Sequence, residues 1–150
     1  MKKAILLLLV AACSSTENQW ESAVRRINGD LSALRPTARA IASIASNDDP
    51  ASVRAVIGMC ASMDSSLRRI AETRQTFHAL DREPGGPHHY MTDVADHARW
   101  LVERRYDLCQ GDDWRCRDWC VKTWSGLAAS VNVLRDRAET HGVSLESLTQ

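Results

Sequence analysis

Apolar residues in this chain recur at spacings of three and four over long stretches, while its 7 glycines and 4 prolines gather at a few points. That spacing keeps one face of an α-helix apolar. A half-buried strand needs strict alternation instead, and no stretch supplies it. An all-α fold is therefore expected. Thr16, with Gln19 three residues on, reads as a capping box, and Trp20, Val24, Ile27, Leu31 and Leu34 follow in a regular helical stripe. Pro36 has no amide hydrogen for a helix interior, so residues 17–46 are expected as one kinked helix or two short ones, with Ile41 and Ile44 extending the stripe. Asp49-Pro50 is a start signal, an N-cap followed by proline at the first helical position. The helix it opens carries Val53, Val56, Cys60, Met63, Leu67, Ile70 and Phe77, interrupted by Arg74. Residues 81–87, with Pro84-Gly85-Gly86-Pro87, make a loop.

Met91, Val94, Ala98, Leu101 and Leu108 line the next helix, with Arg105 breaking their stripe. Gly111-Asp112 separates it from a last helix whose inner face is Cys116, Cys120, Leu127, Val131, Leu134 and Ala138. His141-Gly142 ends that helix, leaving residues 144–150 as a short helical turn or a frayed tail. Long striped helices joined by short loops form an antiparallel bundle, here of four helices, or five if the first breaks at Pro36. Folding the chain back on itself at residues 84–85 sets Arg105 level with Asp64, and Arg74 level with Ala95 and Asp96. Ion pairs are expected at both levels, closing the two interrupted stripes.

The N-terminus has a different logic. Lys2 and Lys3 precede an apolar run from Ala4 to Ala12, the layout of a secretory signal. Nine apolar residues are too few to span a bilayer, which takes about 20 in a helix. Leu9-Val10-Ala11-Ala12-Cys13 resembles the lipobox of bacterial lipoproteins, with small residues before an obligatory cysteine. The resemblance implies a signal peptide at 1–12, cleavage before Cys13, and acylation of Cys13, with palmitate among the chains. Ser14 after the cysteine implies passage to the outer membrane, facing the periplasm. Residues 13–16 then form the lipidated cysteine and a short tether, 17–143 the helical bundle domain, and 144–150 a C-terminal tail. Removing 12 of the 150 residues leaves 138, enough for one domain. Losing Lys2 and Lys3 from 19 basic residues against 19 acidic ones leaves a formal charge of −2. A near-neutral balance of this kind argues against a nucleic-acid partner.

With Cys13 lipidated, Cys60, Cys109, Cys116 and Cys120 remain, an even set that an oxidising compartment would join as two disulfides. The same fold-back places Cys60 beside Cys109, and the short turn at 110–112 brings Cys116 to the same end. Cys116 and Cys120 point the same way on one helix face and pair poorly. The pairing favoured is Cys109–Cys116 with Cys60–Cys120, the alternative Cys60–Cys116 with Cys109–Cys120. A four-cysteine zinc site would use the same convergence, but envelope thiols tend to be oxidised first.

Constellations for chemistry are thin. His88 and His89 open a helix, and His78 lies near the same loop, which makes the three weak metal-ligand candidates. No recognised metal spacing accompanies them, and the plainer reading is a polar helix start. His89, Asp93 and His97 share one helical stripe, but His89 and His97 stand about 12 Å apart along it. Trp114, Trp119 and Trp124 are five residues apart, so they spread around their helix, and at least one is expected to be exposed as a possible partner-binding anchor; Trp100 is a fourth on the preceding helix. No glycine-rich phosphate loop and no Gly-x-Ser-x-Gly elbow occurs, and no cofactor is expected. The expectation is a non-catalytic module that binds another envelope protein. Trp100-Leu101, Arg104, Asp107 and Cys109, followed by Cys116, resemble the tryptophan–arginine–cysteine hairpin of the LprI-type lysozyme-inhibitor lipoproteins over about 35 residues. Of that family's earlier cysteine pair, only Cys60 has a counterpart. The resemblance implies lysozyme inhibition as a narrower form of the same binding function. A metal-binding or stress-response lipoprotein using the histidine end is the third reading.

Overall fold

The structure is a computed structural model that describes residues 2–78, 87–140 and 142–148; side chains are described from Ser22 onward, except those of 76–78, 87–88, 106 and 108. Five helices account for the described chain: α1 (Lys2–Ile44), α2 (Pro50–Ser62), α3 (Asp64–His78), α4 (Pro87–Leu108) and α5 (Asp113–Thr140), with no strand among the described residues. α4 lies between α3 and α5, α2 packs on α5, and α1 packs on α3 and α2. One contiguous core results, built from the stripes the sequence displays. Val24, Ile27, Leu31 and Leu34 of α1 meet Leu67 and Ile70 of α3, Met91, Val94 and Leu101 of α4, and Leu127, Val131 and Leu134 of α5, all essentially inaccessible. Met59 and Met63 fill gaps at its edge. No helix among the described residues is long and apolar enough to cross a membrane.

The count of five arises differently from the expectation. α1 is helical through Pro36, whose exposed position lets the carbonyl it leaves without a donor turn to water. Thr16 lies inside this helix rather than capping it. The run Ala4–Ala12 is rich in Leu and Ala, the best helix formers, so the helix propagates through the capping-box position. The break comes instead at Met63 (φ −97°, ψ 6°), between α2 and α3. There the Ser62 hydroxyl donates to the Met59 carbonyl, a local bond that competes with the helical ladder. Asp64 then becomes the acidic first residue of α3. Asp49 caps α2 as read, its Oδ1 accepting from the amides of Ala51 and Ser52. Most of the loop at 81–87 lies outside the described residues, and Pro87 opens α4.

Two long-range ion pairs stand at the expected levels. Arg105, 8% exposed, meets both carboxylate oxygens of Asp64 at 2.6 and 2.8 Å and donates also to the Cys60 carbonyl. Arg74 and Asp96 pair between α3 and α4 as an ion pair without an aligned hydrogen bond. Residues 143–148 depart from expectation: they are neither a helical turn nor frayed. Gly142 (φ 73°) stops α5, and the chain turns back along α1 with Leu145 and Leu148 buried. Asn28 accepts from the Glu146 amide, the Ser147 carbonyl accepts from Arg35, and the Glu146 carboxylate pairs with Arg35 and Ser32.

Candidate functional site

Two features stand out against this plain bundle, a cysteine cluster at one end and a groove along the α4–α5 face.

The cysteine cluster has one closed bridge rather than the two expected. Cys109, at the end of α4, is joined to Cys116, in the first turn of α5, with Cα atoms 4.7 Å apart. The turn between them uses Gly111 at φ 92°, a conformation that costs glycine little. Cys60 and Cys120 are buried free thiols. They face each other across the α2–α5 contact, each thiol influencing the other. Cys60 thus lies against Cys120 and stands outside the group formed by the Cys109, Cys116 and Cys120 sulfurs. The Trp124 indole donates to Cys60 Sγ at 3.1 Å. The bond to Cys120, and then burial, push the Cys60 thiol far above its ordinary range. Cys120 is lowered by the hydrogen bond from Cys60, against burial and with help from the Arg105 charge. Proton loss from the pair therefore begins at Cys120. Cys109, Cys116 and Cys120 form the one potential ligand group among the described residues, but the Cys109–Cys116 bond occupies two of its sulfurs, which is not a zinc arrangement.

The groove is built by spacing. His97, Trp100 and Arg104 lie along one stripe of α4, and Trp119, Lys122, Thr123 and Gly126 along the facing stripe of α5; together they line a groove of about 350 Å³. Gly126 is what lets the helices approach. A Cβ there would stand 2.8 Å from His97 Nε2 and 2.9 Å from Cδ2. His97 is fixed from its other side, donating from Nδ1 to the Asp93 carbonyl at 2.8 Å, with the Ser130 hydroxyl 3.3 Å away. Its ring meets Trp100 edge-on at 5.2 Å between centroids. The Arg104 guanidinium lies 5.9 Å over the Trp100 ring, inside the range of a cation–π contact. Trp100 is 38% exposed, and Trp119 is half-buried against the core. Among the described residues, no acidic one lines the groove.

The three tryptophans of α5 occupy three environments, as five-residue spacing requires. Trp114 is exposed and stacked by Arg117, Trp119 is in the groove, and Trp124 is inside the core and offers no surface. Arg117 serves structure, donating to the Ala45 carbonyl at the end of α1 and to Asp48. His89 is exposed, while the side chains of His78 and His88 lie outside the described residues. Sequence reasoning missed Lys122 and Gly126 and gave His97 no role. The available signal was Gly126 itself, an interior helical glycine that costs roughly 1 kcal/mol against alanine and so marks a close approach.

Replacing Gly126 by alanine separates these effects. Helix propensity favours alanine by about 0.5–1 kcal/mol, but displacing His97 forfeits a hydrogen bond of about 1 kcal/mol. Stability is therefore expected to stay within about 0.5 kcal/mol of the parent, while the His97 ring resonances and the Trp100 emission shift. Unmoved His97 and Trp100 signals would contradict the close packing at Gly126. Comparison of the chain with protein-family models, with curated proteins and with solved structures returned no match.

Proposed function

We propose that this chain is the precursor of a bacterial envelope lipoprotein, cut before Cys13 and lipid-anchored there, whose helical domain is a non-catalytic module binding another envelope protein. The observation that carries the binding role is the α4–α5 groove, whose lining combines Trp100 and Trp119 with Arg104 and Lys122. Indole and guanidinium groups are the side chains that most often anchor protein interfaces. The anchor rests on the Leu9–Cys13 motif. The first buried core residue described in α1 is Val24, eleven residues on from Cys13, which as helix would place the core about 16 Å from the acylated cysteine.

Affinity capture from solubilised envelopes tests the binding role. A single dominant partner, lost when Trp100 and Trp119 are both changed to alanine, is the expected result; unchanged capture by that variant would refute the groove as the docking face. Labelling with a palmitate analogue tests the anchor, with incorporation expected in the parent and absent in Cys13→Ser. Label retained in that variant would place the lipid elsewhere.

Lysozyme inhibition is the second reading. Trp100 and Arg104, two residues of the resembled hairpin, lie one helical turn apart on this same groove, and its Cys109 and Cys116 are bonded to each other. Spiking lysozyme into the capture distinguishes it.

The Cys60–Cys120 disulfide belongs to the same proposal. In an oxidising envelope the Cys120 thiolate attacks a disulfide-bearing oxidant, releasing one oxidant thiolate. Cys60 Sγ then attacks the resulting mixed disulfide at Cys120, closing the bond and releasing the second. Peptide mapping of exported protein is expected to find Cys60 joined to Cys120 beside Cys109–Cys116. Two alkylatable thiols at Cys60 and Cys120 after export would disprove the second bridge.

A further inference from the structure

The groove carries more information than its tryptophans. Its two cations, Arg104 and Lys122, have no carboxylate partner among the described residues. Many arginines elsewhere on the bundle do: Arg35, Arg69, Arg74, Arg105 and Arg117 each meet an acid. The acids nearest in sequence are held away. Glu103 pairs with Arg99 on its own helix, and Asp118 pairs with Arg117. Asp107, one turn beyond Arg104, is exposed and outside the lining. A groove lined by two indoles and two cations without a carboxylate partner, with no acid among its described lining residues, is complementary to one chemistry, an apolar group joined to an anion. The Trp100 ring also holds the Arg104 guanidinium in place, which reduces the side-chain entropy lost on binding. Two cations in a groove on a chain of balanced overall charge are too few for the electrostatic footprint of nucleic acid.

We propose that the α4–α5 groove receives an acidic segment of a partner protein, a carboxylate pairing with Arg104 and Lys122 while a neighbouring apolar side chain rests on Trp100 and Trp119. This rests on the protein-binding reading above and states what the partner must present. Recognition is then electrostatic in selectivity and apolar in contact: the anion chooses the partner, and the indoles supply the buried area.

The test uses the full chain in detergent and fluorescently labelled, acetylated peptides of alternating leucine and glutamate, against the leucine–glutamine counterpart. The glutamate peptide is expected to bind at least about tenfold more tightly at low salt, and the preference is expected to collapse near 1 M salt, where screening reaches about 3 Å. Indole N–H resonances of Trp100 and Trp119 are expected to move while that of Trp124 does not. The double variant R104E/K122E is expected to lower the thermal midpoint by no more than about 4 °C, the cost of the exposed Arg104–Trp100 contact, and to lose the preference for glutamate. Equal binding of the two peptides overturns the proposal, as does a preference that survives R104E/K122E. So does a dimer of the chain that R104E/K122E dissociates, which would make a second copy the occupant. Envelope capture separates this inference from the broader reading. A partner lost with Trp100→Ala and Trp119→Ala but retained by R104E/K122E leaves the binding module standing and refutes the acidic ligand. Glutamate-selective binding with no captured partner supports the groove chemistry and removes the envelope-protein reading.

Discussion

Replacing Leu148 by alanine is expected to lower stability by about 3 kcal/mol and the thermal midpoint by roughly 10 °C. Leu148 is fully buried and belongs to the same core as α1 and α5, although it lies six residues past Gly142, where α5 has already stopped. Deleting its outer carbons loses their transfer free energy and leaves a cavity that the packed core closes only in part. The loss is large against a total of about 5–15 kcal/mol for a domain. Val133→Ala, on an exposed face of α5, serves as control and is expected to change stability by about 0.5 kcal/mol at most. A midpoint for Leu148→Ala within 2 °C of the parent, on the order of a surface substitution, would show that the segment does not contribute to the core. The polar contacts around it add a pH signature. The Ser32 hydroxyl and the Arg35 charge hold the Glu146 carboxyl below its ordinary value of 4.5. A depressed carboxyl contributes its stability fully above the unfolded value and loses it as pH falls through the folded one. Amides of residues 143–148 are therefore expected to lose exchange protection below about pH 4.5, before those of the α5 interior.

The position of that segment shows where sequence reading succeeds and where it stops. The stripes of α1, α4 and α5 were legible because burial of one helical face imposes a three-and-four spacing that no surface requirement imitates. The Asp49-Pro50 start was legible for an equally local reason, the four amides that a helix leaves unsatisfied. Leu145 and Leu148 are separated by three residues as well, but only two such residues after a helix-ending glycine make no detectable period. Their burial depends on α1 lying alongside, which is tertiary information. The break at Met63 was hidden likewise, since the apolar stripe runs through it. Within the groove, the tryptophans and Arg104 were visible as residue types. Their union with Lys122 depends on how far apart α4 and α5 pack, and Gly126 sets that distance through a side chain it lacks. The Cys109–Cys116 bridge, by contrast, was within reach of spacing, because the short turn at 110–112 brings the two cysteines to one end and a shared helix face disfavours Cys116–Cys120; excluding that pair still left Cys60 two possible partners.

The Arg105–Asp64 pair was also read from register alone, and it leads to the second large expected effect. Arg105→Met should lower stability by about 3 kcal/mol. Methionine keeps most of the volume, so the cost comes from polar groups left behind. The Asp64 carboxylate, 24% exposed, loses both hydrogen bonds of its bidentate partner, and the buried Cys60 carbonyl loses a donor. Solvent reaches Asp64 in part, which sets the estimate at the lower end of the range for broken buried pairs. Removing both charges, as Arg105→Met with Asp64→Leu, is expected to recover at least half of that loss, because desolvated ions gain little over apolar packing. The coupling read from the double-mutant cycle then measures the penalty of an orphaned charge. A single variant costing under about 1 kcal/mol would mean that water already satisfies Asp64. A double variant no better than the single would mean that the pair earns its place through packing. The same substitution reaches the cysteine cluster. Arg105 is one of the two influences that lower the Cys120 thiol, so Arg105→Met is expected to raise it and slow its alkylation in protein made under reducing conditions. Unchanged alkylation, with stability lost as expected, would separate the structural role of Arg105 from any control over the thiol pair.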